Sequence, residues 1–169
     1  MNEVLKVIDD RRSIRGYETT PVACEDLKAI MQAALQAPTA RNMQPWHFSV
    51  ITDRAQLDEF DAALDPERSV TYKAPAVIMI SAPIETGFFT KVDCGIAVQN
   101  MALAAWSLGY GNVILGAPKI VFDGPRGDEF KAKFGIPADH EYIIGLAVGK
   151  GTVTKDAHEM NPDKITWIG

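Results

Sequence analysis

Little in this chain of 169 residues supports the common catalytic and scaffold chemistries. Cysteine is scarce: Cys24 and Cys94 stand 70 residues apart and form no CxxC, which argues against a disulfide framework or a zinc cluster and fits a reducing cytoplasm. Positive charge is also short, with 17 Lys and Arg against 22 Asp and Glu and a formal charge of -5. A general nucleic-acid or membrane-surface binder spreads cations over a face, so neither partner is expected. No apolar run approaches 18 residues, and "MNEVLKVIDD" mixes charges where a signal core would be apolar, so a soluble, unprocessed chain is expected. His47, His140 and His158 show no HxH or HExxH spacing, and no metal site is expected. GxSxG, GxGxxG and the phosphate loop GxxxxGK[ST] are all missing. If the protein is an enzyme, its hard chemistry falls to a cofactor.

What is present reads as helix alternating with strand, one α+β domain over residues 1–169 with 150–169 as a C-terminal tail. Val4, Leu5, Val7 and Ile8 mark a short amphipathic helix. "CEDLKAIMQAALQAP" spaces Leu27, Ile30, Met31, Ala34 and Leu35 helically, with acids in the first turn and Pro38 beyond the end. "WHFSVIT" and "EYIIGLAVG" read as strands, "AQLDEFDAALD" and "GDEFKAKFG" as helices, and "NVILGAP" as strand or turn. "AVIMIS" is a continuous apolar run suited to a strand buried on both faces. The longest helix is expected over 91–108, closed by Gly109 and Gly111. It has almost no polar face, which implies burial all round. In a chain this small, a symmetric subunit interface supplies that burial, so a homodimer is expected. The polar tail ends in "KITWIG", and apolar residues there predict that it docks on the partner subunit.

Two segments stand out as candidate sites. "RRSIRGY" gathers Arg11, Arg12 and Arg15, three of the seven arginines, around Ser13 and ahead of Gly16. Guanidinium forks grip phosphate oxygens in pairs, a hydroxyl adds a neutral donor, and glycine relaxes the backbone. The plainer alternative is that these cations complement the end of the first helix and offset Asp9 and Asp10. "APTARNMQPWHF" packs Thr39, Arg41, Asn42 and Gln44 between Pro38 and Pro45, a polar loop whose amides could read a heterocycle edge. Its plainer alternative is a helix stop followed by a capped turn. Cys94, within an apolar helix beside Asp93, reads as inert packing.

The segments "RRSIRGYETTPV", "LKAIMQAALQAPTARNMQPWHFSVI", "KAPAVIMIS", "DCGIAVQNMALAAWSLGYG" and "YIIGLAVG" resemble, in order and spacing, the nitroreductase family of flavin oxidoreductases. The resemblance implies a nitroreductase-like α+β fold, with a central, mostly antiparallel sheet flanked by helices, and a dimer built around a buried central helix. It also implies FMN at the subunit interface, with Arg11, Arg12, Ser13 and Arg15 at the phosphate and pyrimidine edge. Arg15 is then the candidate for tuning the flavin, because a fixed cation favours the reduced anion. Pro38, Thr39, Asn42 and Gln44 follow as loop contacts, and Leu115, Gly116 and Ala117 as backbone near the reactive N5. The implied reaction passes hydride from NADH or NADPH through the flavin to a small-molecule acceptor such as a nitroaromatic or quinone. The alternatives are a flavin-binding module without turnover, or specialised FMN chemistry such as reductive dehalogenation. Phe88 and Phe89, placed just before the central helix, are candidates for the substrate pocket or for simple core anchors. The tail lacks the arginine that many relatives use to complete the phosphate site, which leaves Lys155 or Lys164 as substitutes.

Overall fold

The computed structural model describes residues 1–169 except Pro66 and Thr86. Four strands, β1 (His47–Ile51), β2 (Ala76–Pro83), β3 (Gly111–Leu115) and β4 (His140–Gly149), pair antiparallel in the order β1-β2-β4-β3. The apolar run expected as a buried strand is β2, and its alternate residues feed two separate cores. Ile78 and Ile80, with Leu146 and Val148 of β4, face helices α2 (Cys24–Leu35) and α4 (Phe88–Ser107). Val77 and Met79, with Ala147 and Tyr142, face α3 (Arg54–Ala62), α5 (Pro118–Phe122) and α6 (Gly127–Lys133). On that side Phe60 sits among Phe122, Phe130 and Phe134, with ring centroids 5.0 to 5.3 Å from its own.

Helix α1 (Glu3–Asp10) has Asn2 as N-cap and packs on α4, yet it buries no residue: Val4, Leu5 and Ile8 are all exposed. The expected burial of α4 on all sides is not met within one copy. Cys94, Ala97, Val98, Met101, Ala102 and Ala105 are buried, whereas Ile96, Leu103 and Trp106 are only half covered and Val92 is exposed. The helix also begins three residues earlier than 91, so Phe88 and Phe89 form its first turn behind Gly87. They are not core anchors: they are 78% and 63% exposed. Gly109 closes α4 with φ +80°, the left-handed stop expected of it. Gly111 has a different task. It opens β3, and a side chain there would meet Ile14 Cγ2 at 3.0 Å.

Residues 151–169 are exposed throughout, with Trp167 88% and Ile168 94% accessible. Among the described residues no helix is long and apolar enough to cross a membrane.

Candidate functional site

The arginine segment leaves α1 and crosses the end of the sheet where β3 begins and β4 stops. Ser13 bridges to Asn112 in parallel, Ile14 N–H donates to Asn112 O at 2.9 Å, and Tyr17 bridges antiparallel to Gly151. Asn112 is itself fully buried and donates to Ala102 O of α4 at 3.0 Å. Gly16 provides space: a side chain there would stand 2.8 Å from Thr152 Oγ1, and its φ is not in the left-handed region. It is the tail's approach, and not backbone relaxation, that requires this glycine.

The three arginines are held differently. Arg12 donates through Nη1 to Asp9 O and to Arg11 O, so it does cap the first helix, as the plainer reading has it. Arg11 does not: its Nη1 is buried with no hydrogen-bond partner. Burial, and then the neighbouring Arg12 cation, pull the Arg11 pKa below its ordinary value. Arg15 is exposed, makes no ion pair among the described residues, and lies over the Tyr72 ring with Cζ 5.8 Å from the centroid. A cleft of about 520 Å³ opens beside the segment, lined by Arg12, Ile14, Trp106, Tyr110, Thr154 and Lys155. Lys155 thus shares this cleft with Arg12, and Lys164 does not line it.

The polar loop sits elsewhere. A 3-10 turn, Ala40–Asn42, follows Thr39, and Arg41, Asn42 and Gln44 have φ of 56°, 56° and 46°. Three non-glycine residues in the left-handed region imply strain that the surroundings must hold. Thr39 Oγ1 accepts from Gln44 N–H at 3.2 Å, Gln44 Nε2 donates to Asn42 Oδ1 at 3.0 Å, and buried Asp93 accepts the Ala40 N–H at 3.1 Å. Asp93 thus fastens the loop to the second turn of α4. Nothing in sequence pointed to this role, because 53 residues separate the partners. Pro38, Asn42 and Gln44 are exposed and Thr39 is half covered. Neighbouring Cys94 is fully buried, and burial followed by the Asp93 charge pushes its thiol up to about 12. It is no nucleophile.

Leu115 ends β3, and Gly116 and Ala117 lead into α5. The Leu115 carbonyl accepts from Tyr142 Oη at 2.6 Å, and Gly116 and Ala117 are exposed. A side chain at Gly116 would meet nothing within 4 Å, so nothing within one copy demands glycine there.

These three loci do not converge in one copy. The arginine segment and 115–117 lie along the β3 edge, while the loop precedes β1 on the opposite edge. Three interstrand spacings, about 14 Å, separate the edges. Along α4 the loop meets Asp93 and the arginine cleft meets Trp106, about 20 Å apart at the rise of an α-helix.

The whole chain has close counterparts. The family model described as "Nitroreductase family" matches residues 8–67 and 62–150. A protein of Archaeoglobus fulgidus named "Putative NADH dehydrogenase/NAD(P)H nitroreductase" is 34% identical over 175 residues, covering 98% of this chain and 97% of its own. A nitroreductase with bound FMN from Desulfitobacterium hafniense DCB-2 superposes with a TM-score of 0.94 at 32% identity, covering 100% of both chains. Another with bound FMN, from Bacteroides fragilis, reaches 0.92 at 25% identity, again over 100% of both. With the antiparallel four-stranded sheet, the arginine opening and the strained polar loop in their expected order, this chain belongs to the nitroreductase family.

Proposed function

We propose that the protein is an FMN-dependent NAD(P)H oxidoreductase that works as a homodimer, with each flavin held between two copies. The observation that carries the reading is Arg11: a buried guanidinium nitrogen without a partner, beside a second arginine, in a chain of net charge -5. A buried guanidinium nitrogen without an acceptor is costly, and a phosphate would supply that acceptor. The residues fit FMN in that respect. Arg12 lines the cleft with Thr154, Lys155 and one acid, Asp10; Arg11 and Ser13 flank Arg12 in the chain, and the Ser13 hydroxyl has no partner among the described residues. Lys155 is thus the tail cation assigned to the phosphate in place of an arginine.

The chemistry that FMN supplies when bound is two-electron transfer between a nicotinamide and an electron-poor acceptor, such as a nitroaromatic or quinone. The chain's own part is binding and orientation. The arginine segment fixes the phosphate end, and the exposed Gly116 and Ala117 backbone leaves one side of the site open for donor and acceptor to alternate. The loop with Pro38, Thr39, Asn42 and Gln44 comes from the second copy, because within one copy it lies on the wrong edge of the sheet. Its internal hydrogen bonds and Asp93 hold Asn42 in place before a ligand arrives, so little ordering cost falls on binding. Phe88 and Phe89, exposed at the start of α4 with ring centroids 5.7 Å apart, give the pocket an aromatic wall.

The second copy also accounts for the uncovered apolar surface. Val4, Leu5 and Ile8 of α1 and Leu103 and Trp106 of α4 gain cover when two copies pack through these helices. A groove of about 840 Å³ lies on the same face, with Val7 and Ala33 beside the charged Glu3, Lys6 and Asp10, and the partner's tail adds to this interface through the exposed Ile165, Trp167 and Ile168.

An oxygen-free absorption spectrum of the protein reconstituted with FMN tests the function. The flavin band bleaches on addition of NADH or NADPH, and the acceptor restores it. A bound flavin that neither nucleotide bleaches points instead to a binding module, and protein that takes up no FMN sinks the proposal.

A further inference from the structure

The turn at 69–73 is fastened by several side-chain hydrogen bonds, and the proposed reaction leaves it unexplained. Tyr72 and Lys73 have φ of 55° and 56°, two successive non-glycine residues in the left-handed region. A turn with no other duty would use glycine. Here buried Asp61 of α3 over-determines the geometry. Its carboxylate accepts from Ser69 Oγ at 2.5 Å, Thr71 Oγ1 at 2.8 Å, and the Val70 and Thr71 N–H groups at 3.0 and 3.1 Å. Ser69 Oγ accepts the Lys73 N–H at 3.0 Å, and Arg54 donates to Ala74 O at 2.8 Å. The Lys73 ammonium is engaged by Asp58 at 2.8 Å. Backbone strain held in this way is a reason to look for what the turn presents.

What it presents is Tyr72, half buried beneath the Arg15 guanidinium at 5.8 Å. Arg15 makes no side-chain hydrogen bond or ion pair among the described residues; besides Tyr72, its charge is felt by Tyr17. Its backbone, by contrast, is fixed: Ile14 N–H donates to Asn112 O, Tyr17 Oη donates to Ile14 O at 2.6 Å, and Thr152 N–H donates to Gly16 O at 3.0 Å. Only the side chain is left to be aimed, and the aromatic face is positioned to aim it.

We propose that Tyr72, locked in its strained turn by Asp61, is a positioning residue that holds the Arg15 guanidinium toward bound FMN. This rests on FMN being the cofactor and on Arg15 facing it. An aimed cation favours the reduced, anionic flavin, and a cation free to swing to solvent does so less. Tyr72 therefore acts on the flavin potential through Arg15, while its own packing is against the core that holds Phe60 and Met79.

The test is a double-mutant cycle read as the midpoint potential of bound FMN, with the FMN dissociation constant measured alongside. Arg15→Ala lowers the preference for reduced flavin about tenfold, which is about 30 mV more negative for a two-electron couple. Tyr72→Leu lowers it about threefold, about 14 mV on the same constant. Tyr72→Phe, which keeps the ring, leaves the potential in place, and Tyr72→Leu changes nothing further in the Arg15→Ala protein. Should Tyr72→Leu fail to fold, Tyr72→Trp reads the same contact in the opposite sense, because a stronger aromatic partner raises the potential. The proposal is overturned if Tyr72→Leu shifts the potential equally with and without Arg15, or if Tyr72→Phe shifts it as much as leucine does. An unchanged potential in Arg15→Ala overturns it at the step beneath, by removing Arg15 from the flavin. Failure of the unaltered protein to bind FMN overturns the cofactor assignment itself.

Discussion

Replacing Arg11 by methionine weakens FMN binding by about 10- to 100-fold and at the same time raises the melting temperature of the flavin-free protein. Both effects have one cause. Arg11 Nη1 is buried without an acceptor, and burial and Arg12 together disfavour its charge. A basic group whose folded pKa is lowered costs stability wherever the unfolded chain carries the proton, which for arginine is every working pH. Methionine fills similar space with no donor to satisfy, and removing an unsatisfied buried polar group relieves about 1 kcal/mol, or about 2–4 °C in a chain of this size. The loss in affinity follows from the charge-assisted hydrogen bonds that phosphate no longer receives, about 1.5–3 kcal/mol. Thermal melts and flavin titrations of the same samples check both signs. A variant that loses flavin but is also less stable when empty would show that Arg11 is a structural cation with a partner of its own.

Removing residues 157–169 separates the two copies and takes FMN binding with it. The deleted stretch carries Met160, Ile165, Trp167 and Ile168, between 56% and 94% exposed in a single copy. Each buries about 1.5–3 kcal/mol of apolar surface once covered. Losing even two such anchors loosens the dimer about a hundredfold or more. The truncation leaves Lys155, the Gly151 bridge to Tyr17 and the Thr152 hydrogen bond in place. A loss of flavin therefore reports the missing partner and not a damaged phosphate cradle. Mass from light scattering across a dilution series reads the dissociation directly. A truncated protein that stays dimeric with full flavin content would place the tail outside the interface.

Sequence patterning captured the elements well where one physical signal dominated. Continuous hydrophobicity marked β2, buried on both faces, and Gly109 closed α4 as expected. The start of α4 escaped because Gly87 caps it without a side-chain hydrogen bond, and two exposed aromatics occupy its first turn. Helical apolar spacing in α1 and α4 was legible as well, but it could not say which faces one copy leaves bare.

The two candidate segments stood out in the sequence, but their separation within one copy did not. Arg11 and Asn42 are 31 residues apart, close enough in sequence to read as one polar locus. Strand order, which no local pattern encodes, puts them on opposite edges of the sheet. The turn at Tyr72 was invisible for a related reason. "SVTYKAP" contains no glycine to signal left-handed backbone, and the residue that enforces it, Asp61, lies on the preceding helix.

The central claim is that each flavin site is shared between two copies, and mixing two inactive proteins tests it most directly. One carries Arg11→Met with Arg12→Met, the other Thr39→Ala with Asn42→Ala, and each alone forms dimers with two damaged sites. After exchange of subunits, half of the dimers are mixed, and each mixed dimer has one site built from an intact arginine segment and an intact loop. Flavin binding and NAD(P)H oxidation then return to about one quarter of the unaltered level. If the mixture binds no more flavin than its separate components after exchange is verified, arginines and loop serve the site from the same copy, and the shared-site account is wrong.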